Sequence, residues 1–146
     1  MSRIEWSDEY LLGIPEIDLQ HKKLLSLAND LYDVIAGDDE RFKIQMSIVL
    51  KKLTDYTVYH FQSEEKFMEL HGYSGVAVHK MAHDSFVKEV TNQIKVLGEG
   101  NKESAAKFYS FIVNWVLTHI AKADRIWASF VKGEKCVFWH CLFNEV

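Results

Sequence analysis

A chain of 146 residues, 48% hydrophobic and 26% charged, holds enough apolar material for one core and too little for a second. A formal net charge of −4 leaves no basic field for nucleic acid or anionic lipid, so neither is expected as a partner. One proline and seven glycines are too few for the many turns of an all-β protein.

In chain order, residues 1–16 read as an N-terminal arm closed by Gly13-Ile14-Pro15. The arm carries charges where a signal peptide needs its apolar stretch. No apolar run anywhere approaches the ~20 residues needed to cross a bilayer. Cys136 and Cys141 both fall near the C-terminus, so no disulfide framework is expected. Together these point to the cytoplasm. A first helical stretch, ended by Gly37-Asp38-Asp39-Glu40, repeats apolar residues at three and four: Leu24, Ala28, Leu31 and Ile35. His21 lies three residues before Leu24 on the same stripe. The second stretch runs to His71-Gly72-Tyr73-Ser74-Gly75 and shows Met46, Val49, Leu53, Tyr56 and Phe67. His60 follows Tyr56 by one turn, and Glu64 follows His60 by another.

The third stretch begins its stripe with His79 and His83 and continues through Phe86, Val90, Ile94 and Leu97 to Gly98-Glu99-Gly100-Asn101. The fourth, ended by Gly133, carries Phe108, Ile112, Trp115, His119 and Ile126, with Asp124 five residues beyond His119. Four amphipathic helices with short connections predict an all-α fold, an up-down-up-down antiparallel four-helix bundle over residues 1–132. The apolar tail, 133–146, is expected to dock Phe138, Trp139 and Phe143 on the bundle, with the two cysteines as inert thiols. A monomer or weak oligomer is expected, and no protein partner is indicated.

Each helix therefore points imidazole or carboxylate groups at the core. Residues four apart on a helix are stacked neighbours, so His60/Glu64 and His79/His83 are ready chelating pairs. Five residues rotate a side chain by about 140° on an ideal helix, so His119 and Asp124 leave two alternatives. Either Asp124 reaches back from an adjoining face, or a π-bulge brings the two into line. A lone buried histidine is usually a hydrogen-bonded core residue. Five inward histidines and two inward acids would cost several kcal/mol per unpaired charge, a cost that bound metal relieves. Seven donors exceed the roughly four positions of a tetrahedral zinc. They suit two octahedral ions joined by bridging carboxylates and an oxide or hydroxide, with one position left for a small ligand. Imidazole and carboxylate without thiolate favour iron or manganese, and donor type alone also admits zinc and copper.

The ordered set comprises Trp6, Gly13-Ile14 and Ile17-Asp18-Leu19-Gln20-His21, then His60-Phe61-Gln62-Ser63-Glu64-Glu65 and His79-Lys80-Met81-Ala82-His83. It ends with Trp115-Val116-Leu117-Thr118-His119-Ile120 and Asp124. This series resembles the hemerythrin family, specifically the stand-alone bacterial hemerythrins, from about residue 4 to about residue 131. The resemblance implies a non-haem di-iron centre, with His79, His83 and His119 on one iron and His21 and His60 on the other. It also implies that Glu64, Asp124 and an oxo or hydroxo group bridge the pair, and that O2 binds reversibly at the two-histidine iron. The protein would then carry, store or deliver oxygen, and no catalytic residue is assigned. The expected pocket lining, Leu24, Phe61, Ile112 and Trp115, is apolar and offers no proton donor.

Two other classes compete with this reading: a di-iron oxidase or peroxidase, including nitric-oxide or peroxide detoxification, and an oxygen- or iron-sensing module. Ferritin-like oxidases use Glu-x-x-His pairs, and no Glu precedes a His by three here. Tyr56, one turn before His60, is read as a core aromatic, Glu65 as a solvated face residue, and His71 and His140 as non-ligands.

Overall fold

The computed structural model describes residues 1–97 and 101–133. Helix α1 spans Pro15–Ala36, α2 Phe42–Leu70, α3 Val76–Leu97 and α4 Lys102–His119. A π-helical turn, Ile120–Asp124, follows α4 directly and leads into α5, Arg125–Val131. Helix α1 packs against α2 and α4, and α3 packs against the same two, which closes a four-helix ring.

Local chemistry sets the helix starts. Pro15 opens α1, where its missing N–H would be unpaired in any case. The buried Asp18 carboxylate accepts the backbone N–H of Leu12 at 2.8 Å and of Gly13 at 3.1 Å. This draws the arm into a turn that needs φ +83° at Gly13. Asn101 caps α4 by accepting the Ser104 N–H at 2.9 Å. The arm is then tied down along its length. Asn29 on α1 exchanges two 2.8 Å hydrogen bonds with the Ile4 backbone. The Tyr109 hydroxyl of α4 donates to the Ser2 carbonyl, and Arg125 donates to the carbonyl of Glu9.

The core follows the expected stripes over most of their length. Leu24, Ala28, Leu31, Ile35, Met46, Val49, Leu53, Phe86, Val90, Leu97, Phe108 and Ile112 are buried. Tyr56, Phe67, Ile94 and Trp115 are half-buried and pack on the core's edge. The departure comes after His119. The π turn inserts one extra residue per turn, so the inward face beyond it moves on by one position. Trp127 is fully buried in consequence, whereas Ile126, expected on the stripe, is only half-buried. Cys136, Phe138, Trp139, His140, Cys141 and Phe143, with the docking expected of the tail, lie outside the described residues. No described helix is long and apolar enough to cross a membrane.

Candidate metal centre

His21 comes from α1, His60 and Glu64 from α2, His79 and His83 from α3, His119 from the end of α4, and Asp124 from the π turn. Of the two geometries open for the His119/Asp124 pair, the molecule adopts the π turn, which puts Asp124 Oδ1 3.2 Å from His119 Nε2. All seven side chains are buried, with His21 and Glu64 wholly inaccessible.

Their donor atoms form two groups that share both carboxylates. Glu64, His79, His83, His119 and Asp124 make one, and His21, His60, Glu64 and Asp124 the other. In the first, His119 Nε2 lies 3.1 Å from Nε2 of both His83 and His79. His83 Nε2 is 3.2 Å from Glu64 Oε1, and His79 Nε2 is 3.0 Å from Asp124 Oδ1. In the second, His21 Nε2 lies 3.4 Å from Glu64 Oε2 and 3.3 Å from Asp124 Oδ2, and His60 Nε2 lies 3.4 Å from Glu64 Oε1.

Such a cluster fits metal cations on two independent counts. Both ring nitrogens of His21, both oxygens of Glu64 and Oδ2 of Asp124 are buried without an aligned hydrogen bond. Buried polar atoms are rarely left so, and four of them, all but His21 Nδ1 on the far side of its ring, converge and call for a common partner. The Nε2 atoms of His79, His83 and His119 also converge on one another, which gathers three imidazole donors at the spacing of one coordination sphere.

Electrostatics describe the same cluster without metal. Burial would lower the pKa of His21, but the neighbouring Asp124 and Glu64 outweigh it and raise it to about 10. His79 rises to about 9 against burial for the same reason. His60 moves to about 4, driven down by burial and by His21 and His83 against the pull of Glu64 and Asp124. Burial pushes both acids upward, and the charge of Asp124 adds to this at Glu64. The surrounding imidazoles outweigh this and hold both carboxyls well below the usual range. The metal-free centre thus balances two carboxylates with protons on His21 and His79.

Outer contacts aim the ligands, and sequence reasoning missed all of them. The Gln20 amide oxygen lies 2.7 Å from His60 Nδ1. Glu65 lies 3.1 Å from His83 Nδ1. That corrects its reading as a solvated residue: α2 turns it toward α3, leaving its side chain 14% exposed. Trp127 Nε1 donates to Asp124 Oδ1 at 3.1 Å. Phe61 stacks on His83 at 3.8 Å, and Trp115 stacks on His119 at 4.4 Å.

A small cavity opens beside His21 and His60, walled by Leu24, Thr57, Phe61, Trp115, Val116 and Ile120. Three of the four expected lining residues are there. Ile112 instead lines a separate apolar cleft between α2, α3 and α4. Thr57, Val116 and Ile120 were not foreseen, although Thr57 and Val116 each sit three residues before a histidine of the cluster. Tyr56 is not among the cavity's walls, and its ring lies 5.6 Å from that of Tyr59. His71 is exposed at the end of α2, away from the cluster.

Residues 12–131 match the family model described as the hemerythrin HHE cation binding domain. A bacteriohemerythrin of Clostridium acetobutylicum is 36% identical over 124 residues, covering 82% of this chain and 95% of that protein. One from Methylococcus capsulatus is 30% identical over 128 residues, covering 87% of this chain and 95% of that protein. A crystal structure of a hemerythrin point variant superposes with a TM-score of 0.76 at 29% identity, covering 90% of this chain and 98% of that one.

Proposed function

The chain belongs to the hemerythrin family, and on that premise we propose that it is a non-haem di-iron protein that binds O2 reversibly for carriage, storage or delivery. The carrying observation is the pair of donor groups joined through Glu64 and Asp124, with three histidines on one side and two on the other. In this reading His79, His83 and His119 would hold one iron and His21 and His60 the other, with Glu64 and Asp124 belonging to both donor groups. Two ferrous ions there would supply the electrons that O2 accepts on binding and returns on release.

The remaining work falls to the chain. Leu24, Phe61, Trp115, Val116 and Ile120 wall the cavity with apolar groups, which disfavour water there. Thr57 is the polar side chain in that wall outside the donor set. Its hydroxyl donates to the Leu53 carbonyl at 2.7 Å, so its proton stays within the helix. A wall without a free hydroxyl favours release of O2 unchanged over its reduction. The functional unit in this reading is residues 1–132, located in the cytoplasm.

Anaerobic loading with ferrous iron, followed by admission and removal of O2, tests it. About two irons per chain and a visible charge-transfer band that comes and goes with O2 are expected. One iron or fewer per chain would sink the di-iron reading. Rapid catalytic oxidation of an added donor, outpacing autoxidation, would move the function to an oxidase.

A further inference from the structure

Two of the five imidazoles are held from behind by partners of different charge. His83 faces a carboxylate, Glu65, at 3.1 Å, and His60 faces a neutral amide oxygen, that of Gln20, at 2.7 Å. We propose that Glu65 is a positioning residue whose negative charge makes the three-histidine position the tighter of the two, while Gln20 gives the other only orientation. The inference rests on the di-metal reading above.

A carboxylate only accepts hydrogen bonds, so Nδ1 of His83 must carry the proton and Nε2 is left with its lone pair toward Glu64 and His119. Phe61, stacked on that ring at 3.8 Å and 3° from parallel, keeps it in the plane this bond requires. Charge behind an imidazole also strengthens it as a donor to a cation, and losing such a partner typically lowers metal affinity about 10- to 100-fold. The Gln20 oxygen selects the same tautomer of His60 but adds no charge. The two halves of the centre thus differ in ligand number and in the charge behind the ligands. Lys80 Nζ, 3.9 Å from Glu65 Oε1, and the residue's 14% exposure place this charge at the edge of the core. There a substitution can be made without emptying the interior.

The full-length metal-free chain is titrated with cobalt(II) against a competing chelator, for the parent, Glu65→Gln, Glu65→Ala and Gln20→Glu. Glu65→Gln keeps an oxygen for His83 and loses the charge, so the tighter phase should weaken about tenfold. Glu65→Ala loses both and should weaken it further, toward about 100-fold, with the weaker phase unmoved. Gln20→Glu should tighten the weaker phase and narrow the gap. Both Glu65 variants should melt with the parent when metal-free. Parent-like loading of both Glu65 variants would overturn the proposal. So would equal weakening of both phases, a fall in the metal-free melting temperature that accounts for the loss, or a single unresolved phase in the parent. A parent that takes up one ion or fewer would overturn the di-metal reading itself, and the proposal with it.

Discussion

Trp127 reaches the core only because the π turn shifts the inward face, and its indole N–H then donates to Asp124 Oδ1 at 3.1 Å. Trp127→Phe keeps an aromatic ring and removes two buried carbons and that N–H. At ~0.8 kcal/mol per buried carbon the apolar loss is about 1.5 kcal/mol. A hydrogen bond to a charged acceptor contributes roughly 1.5–3 kcal/mol more. The sum, about 3–4.5 kcal/mol, should lower the melting temperature of the metal-free protein by roughly 10–15 °C. Trp6→Phe is the matched control, because Trp6 Nε1 is buried with no hydrogen-bond acceptor among the described residues. There the same two carbons leave a half-buried ring and no hydrogen bond is lost, so stability should fall by only about 1 kcal/mol. Thermal denaturation followed by circular dichroism, with metal uptake measured in parallel, reads both effects. A Trp127→Phe protein that melts within a degree or two of the parent would refute the role given to this contact. A Trp6→Phe protein that falls equally far would show that ring volume alone is being measured.

The metal-free protein should weaken as pH rises above neutrality. The raised pKa values of His21 and His79 contribute stability that is complete below the ordinary 6.5 and is lost as pH climbs through about 9 and about 10. Depressed Glu64 and Asp124 act oppositely, contributing above the ordinary carboxylate range and losing that contribution in acid. Metal competes with the same protons, so the stabilisation it confers should grow from pH 6 to pH 9, and urea midpoints flat across that range would contradict this. Loading at neutral pH should release about two protons per chain into weak buffer, from His21 and His79. His21→Ala should reduce metal content toward about one ion per chain by removing one of only two histidines on its side, and unchanged stoichiometry would count against that assignment. Thr57→Val should leave stability within ~0.5 kcal/mol, because the hydroxyl is bonded within its own helix. The rate at which the ferrous protein oxidises in air should stay near the parent's. A marked slowing would show that Thr57 passes protons into the cavity.

Helix number, order and the inward histidines were legible because spacing of three and four residues converts directly into one face of a helix. The five-residue step from His119 to Asp124 was legible only as a choice, since no α-helical face repeats at five. Recognising the choice did not carry forward: Ile126 was read on the old register when the inserted residue hands the inward position to Trp127. The partners behind the ligands were out of reach for a different reason. Gln20 and Glu65 sit next to His21 and Glu64 in sequence, about 100° around the helix, where a polar residue reads equally well as solvated. Only the helix opposite decides, and it is set by packing. Ile112 shows the same limit, since it lies on the buried stripe but at a height that faces the apolar cleft.

The seven converging side chains span positions 21 to 124 and draw on all four long helices or the turn that continues them. An ion held among them would act as a cross-link between segments far apart in the chain, closing long loops at a single point. Backbone amides around that point should then exchange with deuterium much more slowly with metal than without, on α1 as well as on α3. In a cell, the lifetime of this polypeptide would be coupled to iron supply, with starved copies opening from the centre and becoming the ones that proteases remove.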